Sequence, residues 1–371
     1  MGDFFGDNAL IHLRNHLLPG LWSLVVAFVV CVVLVPLMIR VARRTGVIAE
    51  PGGRHSHSKP TPMLGGLAMY AGFAGAVLAF MPANPHTPGV LVVTGLAALL
   101  LVIDDRWHIR AVIKFGMQLV VAVAAVAFGQ DFWITFFGLP GNHVVVLATA
   151  VAVPVTVFWL LGMQNTVNFL DGVDGLAAGV VFIVAVMLML AAGERGQIDV
   201  VQLGGALAGA CAGFLLFNFS PARVFMGDSG SHFLGAAVGL IAILGVAKVE
   251  VAFAMVVPVL LLALPIADTA WAILRRQRVR TSFAQPDQLH LHHRLQAFGL
   301  DARQTCYVFY TATALLGALG LTIFGHGRVL AVVLVTSAAL ASTVAADLLQ
   351  RSRWRIRVPY LRALLAEHSS R

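Results

Sequence analysis

Apolar residues fall in long blocks along this chain, and a membrane-spanning helix needs about 20 of them in a row. Eleven blocks predict such helices: Leu21–Val41, Leu64–Met81, Gly89–Ile103, Val112–Phe128, Val144–Leu161, Leu176–Ala192, Val200–Phe217, Phe233–Val246, Val251–Ile273, Tyr307–Phe324 and Val329–Leu349. Several blocks are short, so their helices must extend into flanking polar residues or stand nearly upright. An odd number of spans puts the two termini on opposite sides. Neither an internal repeat nor a long linker interrupts the pattern, which predicts one transmembrane catalytic domain over residues 1–371.

Charge orients this scheme. With the N-terminus outside, 21 of the 25 Lys and Arg residues fall on the inner side. Only Arg14, Arg195, Lys248 and Arg328 lie outside. Inner loops of membrane proteins carry such an excess, so the split supports both the helix count and a cytoplasmic C-terminus. Composition agrees: 59% of the 371 residues are apolar and 11% charged, against about 45–50% and about 25% in soluble domains. Those values exclude a well-solvated globule and a disordered chain. The fold class is therefore an all-α multipass integral membrane protein, placed in the cell membrane. The first basic cluster follows the first apolar block, so a cleaved signal peptide is not expected. Cys31, Cys211 and Cys306 lie in or beside apolar blocks and read as small apolar residues.

The unusual polar sequence gathers in five inner loops: RHSHSKPTPMLGG (54–66), IDDRWHIR (103–110), QNTVNFLDGVDGLAAG (164–179), FMGDSGS (225–231) and QPDQLHLHHRL (285–295). Asp104, Asp105, Asp171, Asp174 and Asp228 stand at the ends of spans, where carboxylates are costly unless they pair, bind a metal or face water. Asp171 and Asp174 share a face if their segment is helical. Read singly, Asp104 or Asp174 is a first-turn helix cap. Two carboxylates plus phosphate oxygens are the usual way of holding Mg²⁺. Glycines beside these acids let a backbone approach a ligand, although glycine also serves helix packing in membranes. His290, His292 and His293 run into Arg294, and His57 lies between Arg54 and Lys59. Histidine donors beside arginine suit an anion better than a cation. Asp268, late in the ninth span, is either an intramembrane functional acid or a partner for Arg275 and Arg276. An acidic cluster for a metal and a basic cluster for phosphates together describe phosphoryl transfer at the inner membrane face.

On these stretches the chain resembles the polyprenyl-phosphate N-acetylhexosamine-1-phosphate transferases, a superfamily that includes the phospho-MurNAc-pentapeptide transferase of peptidoglycan synthesis. The match runs from about Arg54 to Arg294, through RHSHSKPTPMLGG, IDDRWHIRAVIKFGMQ, NTVNFLDGVDGLAAG, FNFSPARVFMGDSGSHFLG and PDQLHLHHRL. The resemblance implies that a UDP-N-acetylhexosamine gives its sugar 1-phosphate to polyprenyl phosphate and releases UMP, with Mg²⁺ (or Mn²⁺) as cofactor. It implies Asp228 as a metal ligand and Asp171 as a second ligand or a nucleophile. Asp104 and Asp105 would act on the lipid phosphate or hold metal. Asn168 and Asp174 would lie at the nucleotide sugar, and His290, His292, His293 and Arg294 at the diphosphate or sugar. Lys114, Gln118 and His57 fit the pattern with less defined roles. A homodimer is compatible with this reading, and a nucleic-acid partner is not expected.

Leu291 interrupts the histidine run, giving HLHHR where the peptidoglycan branch carries three consecutive histidines. That favours the branch using UDP-GlcNAc, which initiates cell-envelope polysaccharides. The phospho-MurNAc-pentapeptide transferase is the alternative. A membrane transporter is the alternative of another class, against which stand acids clustered at one face and no inverted repeat.

Overall fold

The computed structural model describes residues 7–50, 60–107, 109–139, 143–247 and 301–323. Nine α-helices lie among the described residues: α1 (Asp7–Thr45), α2 (Gly65–Phe80), α3 (Thr87–Trp107), α4 (Ala111–Ala127), α5 (Thr149–Leu170), α6 (Leu176–Glu194), α7 (Ile198–Asn218), α8 (Gly227–Ala247) and α9 (Ala302–Ile323). Six of them, α1, α3 and α5 to α8, are long and apolar enough to cross a membrane. Nine of the eleven predicted blocks correspond to these helices. The remaining two, Val251–Ile273 and Val329–Leu349, lie outside the described residues, as does Asp268.

Two short ribbons qualify the all-α expectation. Strands β1 (Ile48–Ala49) and β2 (Thr61–Pro62) pair antiparallel, as do β3 (Phe136–Leu139) and β4 (His143–Val146). The second ribbon corrects the fifth predicted span. Val144, Val145 and Val146 are β-branched and pair with Gly138, Phe137 and Phe136, the arrangement such side chains favour. The helix begins instead at Thr149 and runs on through Asn165 and Asn168 to Leu170. Those polar residues were excluded from the span by hydropathy, yet they complete the helix that carries them to the site.

Apolar residues line the outside as well as the core. Leu21, Val25, Val29 and Val33 of α1 are exposed, as are Ile113, Val120 and Val123 of α4, which is how helices meet lipid. The central element is α8, buried along nearly its whole length. Phe233 on α8 meets the rings of Tyr70 and Phe73 of α2 edge-on, at 5.7 and 5.6 Å between centroids.

Lipid offers little hydrophobic drive for helix association, so close backbone contact must hold the bundle together. Gly205, Gly209 and Gly213 of α7 recur every four residues and face Gly20, Leu24 and Phe28 of α1, also four apart. A side chain at Gly205 or Gly209 would overlap the carbonyl oxygens of Gly20 and Leu24. Gly209→Val is expected to cost at least about 1–3 kcal/mol through this overpacking. Thermal unfolding in detergent should show it as a Tm several degrees lower; an unchanged Tm would mean that α1 and α7 do not need this contact.

At the end of the bundle reached by α2's C-terminus, His86 ties loop to helix. Its Nε2 lies 3.4 Å from Asp131 and its Nδ1 3.4 Å from Asp199 at the start of α7. The polar cluster of consequence gathers at the opposite end.

Candidate active site

Four helix ends meet there: the last turns of α3 and α5 and the first turns of α4 and α8. They bring Asp104, Lys114, Asn168 and Asp228 into one hydrogen-bonded group. Lys114 Nζ is 3.3 Å from Asp104 Oδ2 and donates to Asp228 Oδ2. Asn168 Nδ2 donates to Asp228 Oδ1 (2.6 Å) and to Ser231 Oγ (2.9 Å). Both oxygens of Asp228 are thus held by donors from other helices, while its own backbone opens α8. A carboxylate in that position is further favoured by the positive end of the helix dipole.

Asp105, next to Asp104 but buried, turns to the α8 backbone. Its Oδ1 accepts from Asp228 N at 2.6 Å and its Oδ2 from Ser229 N at 3.3 Å. The first amides of a helix lack partners within it, and here a carboxylate from another helix supplies them. Gly227 makes the approach feasible. Its φ of +72° is open to glycine at little cost, and a Cβ there would lie 2.6 Å from Asp105 Oδ1.

Neither Asp104 nor Asp174 caps the first turn of its own helix. Asp104 sits in the last turn of α3, and its Oδ1 accepts from Ile109 N at 2.8 Å. Asp171 and Asp174 lie in the turn between α5 and α6, not in a helix, so the shared helical face is not formed. Gly175, at φ +84°, sets that turn. Asp174 Oδ2 accepts from Ala222 N at 3.0 Å and so fastens the turn to the loop before α8. Asp171 remains with the carboxylates. Burial first, and then the negative charges of Asp228, Asp105 and Asp174, push its carboxyl well above the ordinary carboxylate range.

Asp104, Asp105 and Asp171 therefore each lie within electrostatic reach of Asp228. Among the described residues Lys114 is the one cation ion-paired to them. Four carboxyl groups crowd one ammonium, and a hard divalent cation would relieve the repulsion that opposes their ionisation. No three His, Cys, Asp or Glu side chains among the described residues form a ready-made cage. Mg²⁺ does not require one, because it keeps waters and takes one or two carboxylates plus substrate phosphates. The all-oxygen donor set of Asp228 and Asp171 fits that requirement.

The structure thus brings together seven of the residues expected from sequence: Asp104, Asp105, Lys114, Asn168, Asp171, Asp174 and Asp228. His57, His290, His292, His293 and Arg294 lie outside the described residues. The segment that leads into α2 nevertheless reaches the site. Phe225 N donates to Pro62 O (2.8 Å), Gly65 N to Phe225 O and Gly66 N to Met226 O (both 3.0 Å), so the PTPMLGG stretch is laced to the irregular segment leading into Asp228.

Other residues of the site carried no expectation. Asn218, at the end of α7, accepts from Gly175 N and donates to Val224 O, both at 2.9 Å. Arg303 Nε on α9 donates to Ser220 O (2.9 Å), and Tyr310 Oη donates to Gly175 O (2.6 Å). These bonds brace the turn that carries Asp171 and the segment that leads into α8. The available signal was an amide or hydroxyl inside an apolar block, which alone does not reveal its partner. Asn165, Ser231 and His232 lay within the recognised stretches but stood out only by their partners in space.

Comparison with known proteins bears on what this site does. Residues 87–246, which include all seven of the expected residues above, match the family model described as glycosyl transferase family 4. A probable undecaprenyl-phosphate N-acetylglucosaminyl 1-phosphate transferase of Bacillus subtilis is 35% identical over 292 residues, 77% of this chain and 81% of that protein. The decaprenyl-phosphate N-acetylglucosaminephosphotransferase of Mycolicibacterium smegmatis is 34% identical over 317 residues, 77% of this chain and 78% of that protein. A phospho-N-acetylmuramoyl-pentapeptide-transferase of Heliobacterium modesticaldum is 34% identical over 318 residues, 81% of this chain and 96% of that protein.

Proposed function

The chain belongs to glycosyl transferase family 4, and from that membership we propose that it transfers N-acetylglucosamine 1-phosphate from UDP-GlcNAc to a polyprenyl phosphate, yielding a polyprenyl-diphosphate sugar and UMP. The observation that carries this reading is the likeness, over about three quarters of the chain, to relatives named for that transfer. The interrupted HLHHR motif, which falls outside the described residues, supports the GlcNAc branch over the muramoyl-pentapeptide branch. The basic excess of the inner loops supports a cytoplasmic face for the site.

In the proposed reaction an oxygen of the lipid phosphate attacks the β-phosphorus of the nucleotide sugar. The bond from that phosphorus to the bridging oxygen breaks, and UMP leaves with the electron pair. A phosphate monoester is largely ionised at neutral pH, its second pKa being about 6, so the attacking oxygen needs little help from a base. Asp104 would take the remaining proton. Lys114, already positive and aimed between Asp104 and Asp228, offsets charge on the phosphates. Asp228 and Asp171 are the residues that would hold Mg²⁺, which when bound supplies charge neutralisation on the diphosphate. Asn168 holds Asp228 in the rotamer this needs. Asp174 fixes the turn that carries Asp171.

The test is UMP release by the purified full-length protein across a panel of UDP-sugars, with and without polyprenyl phosphate, in Mg²⁺ or in EDTA. Release from UDP-GlcNAc that needs both the lipid and Mg²⁺ is the expected result. Activity confined to UDP-MurNAc-pentapeptide would assign the chain to the other branch. Uptake of a substrate without UMP release would mean transport.

A further inference from the structure

We propose that His232 and Gln118 are positioning residues: with Asn165 they form a second polar tier, one helical turn deeper in the bundle, that holds Lys114, Asn168 and Asp228 in register. The inference rests on the reading of the upper tier as the reacting site.

The two tiers repeat the same three helices. On α4, Gln118 lies one turn beyond Lys114. On α5, which runs toward the site, Asn165 lies one turn before Asn168. On α8, His232 lies one turn beyond Asp228. Residues three or four apart share a helix face, so each helix presents one polar group to each tier along a single line. Gln118 and His232 are buried.

The hydrogen bonds of the lower tier form a directed chain. Asn165 Nδ2 donates to Leu161 O and to Gln118 Oε1, both at 2.8 Å. With its oxygen facing Asn165, Gln118 presents its amide nitrogen to His232 Nε2, at 3.4 Å. The ring must therefore accept at Nε2 and carry its proton on Nδ1. Gln164 joins from beneath, its Nε2 donating to Gln118 O (3.4 Å) and Leu160 O (3.3 Å).

This layer is not the most stable way to fill the space. His232 Nδ1 and Gln164 Oε1 are buried with no partner among the described residues. Such atoms carry a desolvation cost that an apolar layer avoids. Backbone contact already joins α5 and α8 at this depth, since a Cβ at Gly235 would lie 2.6 Å from Gln164 Cα. Packing of this kind brings helices together without fixing their rotation about their own axes. The directed chain does fix it, because turning α4 about its axis would draw Gln118 away from Asn165 and His232 and carry Lys114 off Asp228.

The experiment uses the full-length protein in nanodiscs with Mg²⁺, comparing His232→Leu, His232→Gln, Gln118→Leu and the double leucine variant. His232→Leu is expected to lower kcat about 10- to 100-fold, with KM for UDP-GlcNAc within about twofold and Tm unchanged or raised. His232→Gln, whose side-chain oxygen can accept in place of Nε2, should recover most of the loss. The double leucine variant should be no worse than either single one, because both cut the same chain. The nitrogen-15 spectrum of the wild type, assigned by the signal missing in His232→Gln, should show the proton on Nδ1. The proposal is overturned by a kcat for His232→Leu within about twofold of wild type. It is equally overturned by Tm and activity falling together in both His232 variants, or by a proton on Nε2. Should the wild type release no UMP from UDP-GlcNAc, the functional reading fails, while the spectrum and the Tm values still decide whether the directed chain exists.

Discussion

Asp228→Asn should reduce UMP release by about a hundred- to a thousandfold, the scale on which loss of a preorganised electrostatic contact at a reacting centre is felt. The substitution keeps the shape of the side chain and removes its charge. In the native site one oxygen of Asp228 faces Lys114 and the other faces the amide of Asn168. Asparagine can satisfy only one of these donors, and its own amide group would then point at the other. It also leaves Lys114 with Asp104 as its ion-pair partner and removes a principal candidate ligand for Mg²⁺. The fold should tolerate the change, because removing one of four crowded carboxylates relieves repulsion as well as breaking bonds. The check is the rate of UMP release at saturating UDP-GlcNAc and Mg²⁺, beside the Tm of the same preparation. A rate within about tenfold of wild type would remove Asp228 from the centre of the reaction.

How far the sequence foretold this site depends on the kind of residue. Carboxylates at the ends of apolar blocks are conspicuous, since each is expensive in a membrane. Asp104, Asp105, Asp171 and Asp228 were accordingly all expected, and all four gather. Helices written as unbroken apolar blocks were equally visible. Where the blocks misled, the cause was polar residues belonging to a helix or apolar residues belonging to none. Asn165 and Asn168 extend α5 beyond its hydropathic edge, and Val144 to Val146 form a ribbon. Partnerships were not legible. That Asn218 bridges two loops, or that Gln118 meets His232 across α4 and α8, follows from how helices far apart in sequence are rotated against one another. Spacing along one helix does not encode that rotation. The same holds for the division of labour within the acidic pair. Asp104 and Asp105 are adjacent in sequence, yet their side chains leave the helix about 100° apart, one toward Lys114 and the other toward the α8 backbone.

That division yields the second large effect. Asp105→Asn should lower Tm by several degrees and activity with it, in contrast to Asp228→Asn. Both oxygens of Asp105 accept backbone amides at the start of α8, and the group is buried. Asparagine retains one acceptor and turns an N–H₂ group toward an N–H that cannot accept. Hydrogen bonds to a charged group contribute about 1.5–3 kcal/mol, and a buried donor left without a partner costs about 1–3 kcal/mol. The first turn of α8 would then shift to find other partners. Asp228 lies in that turn, and a displacement of about 1 Å at a reacting group can cost about a hundredfold in rate. Loss of activity in Asp105→Asn is thus expected to follow from a moved Asp228. Loss of activity at an unchanged Tm would instead give Asp105 a direct part in the chemistry, which would require its oxygens to leave the α8 amides when substrates bind.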